Sequence, residues 1–307
     1  MSRAYEFVQV DVFTNRIFGG NPLAVFLDGR GLSDAEMQTI AMEMNLSETT
    51  FVLPPDDDTH AARVRIFTPS AELPFAGHPT IGTSWVLRDR GVVPADADSF
   101  VLELGVGPIA VRIDGDFLWM DQGTATFGPI VEDRAAVADA IGLGVEDLLP
   151  EVPVQAVSTG SPFIYVPLRD PATVDRVAPK LDAYQQLVKR VGWGTRSAFF
   201  FAPKPDGGAH ARMIGIGRGM LREDPATGSA NGPLGAYLVK YGLARGDGLV
   251  EIISEQGTPW VVRALSTCAS PAKTANRAAS RLMVRSCQCS KACCDSNGRR
   301  HQPAVTR

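Results

Sequence analysis

The sequence predicts a mixed α+β protein made of two similar halves facing each other over a cleft. Three observations lead there. Strand-like runs and single helices alternate without the regular βαβ rhythm of a doubly wound sheet. Arg65-Ile66 and Arg212-Met213 each begin a strand-like run, and each is followed a short way downstream by a small-residue turn that opens a helix, FAGHPTIG in the first half and DPATGSANG in the second. That recurrence is the mark of a weak internal duplication. The length of 307 residues suffices for two domains with separate cores, and 45% hydrophobic against 21% charged residues describes a soluble globular chain.

The elements follow in order. Residues 5–12 mix aromatic and β-branched side chains as a strand does, and the turn RIFGGNP leads to a second strand at 23–27. In LSDAEMQTIAMEMN, Ser33 and Glu36 form a capping box: the serine accepts from an orphan helix N–H and the glutamate reaches back. Met37, Ile40, Ala41 and Met44 then give one apolar stripe, and Asn45 suits the C-terminal end. Glu48 falls in the short link from this helix to a strand at 50–53. RVRIFTP is another strand, and the Gly77-His78-Pro79 turn starts a helix through Trp85. GPIAVRIDGDFLWMDQG reads as a hairpin turning at Asp114-Gly115-Asp116. The second half repeats the habit: a helix near 133–142, strands around 153–168, a helix over 171–191, strands at 197–202 and 211–216, a turn and helix in REDPATGSANGPLGAYLVKYG, and a closing run LVEIISEQG.

Charge and motifs narrow the chemistry. No apolar run reaches the 18 or so residues that span a bilayer, and MSRAYEFVQVDVF lacks a secretory pattern, so a cytoplasmic location is expected. Residues 1–257 carry 21 basic and 33 acidic side chains, a balance that argues against nucleic acid as a partner. They contain no cysteine, which excludes a two-thiol acid–base pair, and only three well-separated histidines, His60, His78 and His210, which offer no metal set. GxGxxG, GxxxxGK[ST] and GxSxG are absent. What remains is carboxylate and imidazole: Glu48, His78 and Asp224, supported by Ser229 and the backbone amides of the two turns. Helix N-termini expose unpaired N–H groups that suit a small carboxylate. Glu48 is the only charge between Glu43 and Asp56, and a carboxylate between apolar walls is raised toward the range useful for moving protons. Locally, each residue also has a plain reading: Glu48 as a solvated loop charge, His78 stacked in its turn, and Asp224 and Ser229 as caps of the following helix.

Three separated stretches, GNPLAVFLDGRGLSDAEMQTIAMEMNLSETTFVL, RIFTPSAELPFAGHPTIGT and EDPATGSANGPLGAYL, resemble the PhzF-like isomerases of phenazine biosynthesis, which share the diaminopimelate epimerase fold. The resemblance covers residues 5–257. It implies two domains (1–118 and 119–257), each a β-roll around a central helix with the active site between them, and a homodimer. It implies an isomerase that needs neither metal nor cofactor, most sharply one acting on trans-2,3-dihydro-3-hydroxyanthranilate. Glu48 matches the family's acid–base glutamate, and His78, Asp224 and Ser229 match residues that bind substrate or assist proton movement. Gly77, Thr227 and Gly228 complete the substrate-binding turns. Two other functions stay open: an isomerase or epimerase of another small amino or hydroxy acid, and a non-catalytic small-molecule binder.

Residues 258–307 depart from this pattern. They hold nine basic residues, a single acid (Asp295) and all five cysteines, Cys268, Cys287, Cys289, Cys293 and Cys294. Relatives continue after QG with two residues and then [MI]-G-R-P-S, where this chain has Trp260 to Ala264, WVVRA. Written TGG-GTC-GTC-CGA-GCN after a proline codon ending in A, that stretch read one base earlier gives Met-Gly-Arg-Pro-Ser. The expectation is a frame slip near Pro259, making the rest an atypical basic tail. A disordered tail is one competitor. A metal or disulfide element in CQCSKACC is another, although C-x-C-x₃-C-C lacks the paired C-x₂-C spacing of structural zinc sites.

Overall fold

The computed structural model describes the chain apart from residues 1–2, 15–17, 206, 218, 245–248, 258–263, 272–278, 285–286 and 291–307. The chain divides into two compact units, Met1–Met120 together with the described residues from Val284 onward, and Asp121–Met283. The first unit contains β1 (Phe7–Val12), β2 (Asn21–Phe26), α1 (Asp34–Met44), β3 (Glu48–Leu53), β4 (Ala62–Phe67), β5 (Glu72–Leu73), α2 (Gly77–Asp89), β6 (Ser99–Leu104), β7 (Gly107–Asp114) and β8 (Phe117–Thr124), which leads into the second unit. There follow β9 (Thr126–Val131), α3 (Arg134–Ile141), β10 (Val154–Ser158), β11 (Pro162–Pro167), α4 (Pro171–Asp175), α5 (Leu181–Val191), β12 (Ser197–Pro203), β13 (Ala209–Gly217), β14 (Met220–Asp224), α6 (Gly228–Lys240), β15 (Leu249–Gln256), β16 (Ala264–Pro271), β17 (Ala279–Val284) and β18 (Cys287–Ser290).

The pairing pattern makes the duplication explicit. In the first unit β1–β2 is antiparallel, β2–β3 parallel, β3–β4 antiparallel, β4–β6 parallel, and β6–β7 and β7–β8 antiparallel, with β5 antiparallel to β4. The second unit runs through the same series from β10 to β17: β10–β11 antiparallel, β11–β12 parallel, β12–β13 antiparallel, β13–β15 parallel, β15–β16 and β16–β17 antiparallel, with β14 on β13. A bidentate ion pair recurs at the same place in both. Arg65 holds Glu72 at 2.8 and 2.7 Å, and Arg212 holds Glu223 at 2.8 and 2.6 Å, each glutamate lying just upstream of its helix.

Each curled sheet has one helix inside and helical cover outside. α2 is buried on nearly every side, as is α6, the condition of a helix enclosed by its sheet rather than lying on it. α2 approaches so closely that a Cβ on Gly82 would lie 2.6 Å from Leu23 Cδ2 and 2.7 Å from Val12 Cγ2. On the outer face α1 packs Met37 and Ala41 against Ala24, Phe26, Phe51 and Phe67, with Phe26 stacked on Phe51 at 4.9 Å. Its capping box forms as expected, and Asn45 closes it in the left-handed conformation. The second unit's outer core joins α3, α4 and α5 to Phe200 and Ile214.

Two expectations are corrected. Strand β3 begins at Glu48 rather than at residue 50, because Glu48 already pairs with Leu23 of β2, so this carboxylate is fixed in a sheet instead of a loop. The helix over 171–191 is two, α4 and α5, parted around Pro179, whose ring cannot sit in a helix interior. The short strands β5, β9 and β14 lacked a readable pattern. Strands β16, β17 and β18 occupy part of the stretch set apart as a tail: β16 pairs along the length of β15, and β18 pairs with β1. The remainder of that stretch, including Cys293 and Cys294, lies outside the described residues. Among the described residues no helix is long and apolar enough to cross a membrane.

Candidate active site

The site in the first unit is built by strand alternation. Thr50 faces α2, as its 2.9 Å hydrogen bond to Thr83 shows. Glu48, two residues earlier on the same strand, therefore faces α2 as well. There it meets the helix N-terminus: Glu48 Oε2 lies 3.4 Å from His78 Nδ1. Glu48 is about one-sixth exposed and His78 is enclosed, at 17% and 6% of their side-chain surfaces. That distance is longer than a well-formed N–H···O bond, so the groups touch without being locked together.

Burial decides the charge of His78. It lowers the His78 imidazole from an ordinary 6.5 to about 3, with the Pro22 backbone acting weakly in the opposite direction. His78 is then neutral at physiological pH, and its contact with Glu48 joins a carboxyl group to a neutral imidazole, whatever the short separation suggests about an ion pair. Nε2 of His78 is buried and makes no hydrogen bond among the described residues. Helix α2 has Ala76 as its N-cap with no side-chain cap bond and no acid in its first turn, so the start of α2 keeps the electropositive character of a helix N-terminus. Gly77 and His78 are its first two residues and Pro79 the third, a place where proline costs the helix little.

In the second unit the predicted residues gather at the start of α6. Asp224 ends β14, and its Oδ2 accepts a 2.5 Å bond from the Thr227 hydroxyl. Thr227 is the N-cap, again without a side-chain cap bond, and Gly228 and Ser229 begin the helix. Asp224 thus orients Thr227. Sequence reasoning missed the residue that braces this turn. Gln256, at the end of β15, is buried; its Nε2 donates to the Asp224 carbonyl at 2.8 Å and to Thr227 Oγ1 at 2.9 Å, while its Oε1 accepts from the Thr227 amide at 2.9 Å. It lies 32 residues from Asp224, and no local pattern marks it. Among the described residues no group of three or more His, Cys, Asp or Glu side chains is placed to hold a metal ion.

The fold is α+β, and carboxylate, imidazole and hydroxyl groups gather at the starts of α2 and α6. The chain belongs to the phenazine biosynthesis-like family: the model of that family, described as "Phenazine biosynthesis-like protein", matches residues 10–259. It is a PhzF-like isomerase. An uncharacterized isomerase of Clostridium acetobutylicum is 34% identical over 80% of this chain and 82% of its own length. The uncharacterized isomerase YddE of Escherichia coli K12 is 36% identical over 78% of this chain and 81% of its own. Among solved structures, a PhzF-family phenazine biosynthesis protein of Bacillus anthracis superposes with a TM-score of 0.84 at 27% identity, covering 94% of this chain and 97% of that one. A predicted epimerase of Pseudomonas aeruginosa gives 0.77 at 32% identity, with coverage of 94% and 98%. A hydroxyproline epimerase of Agrobacterium vitis, at 14% identity and a TM-score of 0.63, shares the fold.

Proposed function

We propose that this isomerase moves a proton on a small cyclic amino or hydroxy carboxylate, with Glu48 as general acid and base. The observation that carries the reading is the contact of Glu48 with a neutral, enclosed His78 at the start of α2. A carboxylate held beside a buried imidazole, on a strand that cannot drift, can take a proton from carbon, exchange it with solvent through its exposed sixth, and return a solvent-derived proton. The sharpest substrate is trans-2,3-dihydro-3-hydroxyanthranilate. Glu48 would abstract the C3 proton, the electron pair would shift through the conjugated ring, and the Glu48 carboxylic acid would deliver the proton to another ring carbon. His78 would polarise or position the substrate through its imidazole. Asp224, Thr227, Gly228, Ser229 and Gly77 would bind the substrate's carboxylate, amine and hydroxyl. A homodimer and a cytoplasmic location accompany this reading, as the resemblance and the sequence imply.

Solvent-deuterium incorporation into that compound, measured for the wild type beside Glu48→Gln, tests the proposal. Label in the isomerised product, lost in the variant, is the expected result. Turnover that survives Glu48→Gln would remove the glutamate from the chemistry. A folded wild type that leaves this compound unchanged but labels another amino or hydroxy acid would keep Glu48 and change the substrate.

A further inference from the structure

The duplicated fold contains its own control experiment. The Arg65–Glu72 and Arg212–Glu223 ion pairs superimpose the two sequences. Both helices are 13 residues long, starting at Gly77 and Gly228, so His78 corresponds to Ser229 and Thr83 to Leu234. In the sheets, Thr50 pairs with Ile66 and Phe51 with Arg65, while Phe199 pairs with Met213 and Phe200 with Arg212. Thr50 therefore corresponds to Phe199, and Glu48 to Ser197. The outer cores agree, since Phe51 packs with α1 and Phe200 with α5.

At one pair of corresponding positions the two units differ sharply in chemistry. The first unit places two fully buried hydroxyls together, Thr50 and Thr83, joined at 2.9 Å. The second has Phe199 and Leu234, both fully buried. The fold thus accepts an apolar pair there, and the hydroxyls are not a requirement of the architecture. They occur in the unit that carries Glu48 and His78, on the two elements that carry them: Thr50 lies two residues beyond Glu48 on β3, and Thr83 five beyond His78 on α2. An apolar contact tolerates sliding and rotation. A hydrogen bond does not, because its length and angle are narrowly defined. The Thr50 hydroxyl is also within 3.5 Å of the Ala24 carbonyl of β2, which ties the helix through Thr50 to a second strand.

We infer that Thr50 and Thr83 are positioning residues that fix α2 against β3 so that His78 and Glu48 stay in register for proton transfer. The inference rests on the proposed role of Glu48 for its catalytic meaning, while the geometric part stands alone. The test compares Thr50→Val, Thr83→Val and the double variant with Thr50→Ser, which keeps the hydroxyl and loses the methyl. Two readouts are taken: the ¹⁵N shifts and tautomer of the His78 imidazole by NMR, and the rate of deuterium transfer to trans-2,3-dihydro-3-hydroxyanthranilate. Each valine variant is expected to change the His78 signals and to lower kcat about tenfold or more with KM little altered. The double variant should be no worse than Thr50→Val, because that single change already removes both the Thr83 and the Ala24 bonds, and Thr50→Ser should keep wild-type signals and most of the rate. Unchanged His78 signals and kcat in the valine variants would overturn the inference, as would a loss in Thr50→Ser equal to that in Thr50→Val. If the valine variants fail to fold, Thr50→Ser and Thr83→Ser decide, and disturbed His78 signals in both would refute the role. If the wild type does not turn over this compound, the proposed substrate fails, and the NMR readout alone then supports or refutes the positioning.

Discussion

Replacing His78 with glutamine removes an imidazole that the folded chain holds neutral far below its ordinary range, and the consequence is a change in acid stability. The folded-state pKa is about 3 against 6.5 for the free group, lowered by burial. As the pH falls through 6.5 the unfolded chain takes up a proton that the native chain refuses. The unfolded state binds more protons throughout the interval, so stability from this group is complete above 6.5 and drains away as the pH falls toward 3. Between about pH 7.5 and about pH 5 the linkage amounts to roughly 2 kcal/mol. Urea unfolding of the wild type and His78→Gln at those two pH values measures it. The wild type should lose about 2 kcal/mol more than the variant over that interval, since every other titrating group is common to both. Parallel loss in the two proteins would refute the argument. So would a His78 resonance titrating near 6.5 or above, because it would show an imidazolium paired with Glu48 in place of the neutral ring.

Other outcomes follow from packing and from the gene. Gly82→Val places a side chain where a Cβ alone meets Leu23 and Val12 below 3 Å; about 1–3 kcal/mol of stability should go, and an unchanged urea midpoint would show that α2 does not approach its sheet so closely. Tyr184→Phe deletes the hydroxyl that donates to the Ile214 carbonyl at 2.5 Å and accepts from the Ala198 amide at 2.7 Å. Leaving two buried backbone groups unpaired should cost about 1–3 kcal/mol, read as a lowered Tm, and a variant as stable as the wild type would contradict the burial of that bridge. Sequencing the coding DNA across codon 259 should show a slipped base near Pro259, where the family match also ends. An intact frame would remove that explanation of the basic, cysteine-bearing stretch. The pairing of β16 with β15 bears little on the question, because ladder hydrogen bonds use the backbone whatever side chains it carries.

Much of the fold was legible where the signal is local. The capping box at Ser33 and Glu36 and the left-handed Asn45 define α1 within a single turn at each end. The two glycine turns announced α2 and α6, because a helix start without a side-chain cap needs small residues in sequence. Pro179 was equally local and marked the break between α4 and α5, which the apolar spacing on either side concealed. The short strands β5 and β14 were hidden because two to five residues show no periodicity of their own.

The sequence by itself determined the chemistry on offer: one isolated carboxylate at Glu48, the His78 and Asp224 turns, and no thiols through residue 257. Tertiary structure decided what those groups become. Glu48 faces α2 because β3 pairs in parallel with β2 from its first residue, and His78 is neutral because the sheet closes around its helix. Gln256 reaches Asp224 across 32 residues of chain, and Thr50 meets Thr83 across 33. A pKa and a hydrogen bond depend on distances between atoms remote in sequence, and those distances exist only once the sheet has curled around its helix.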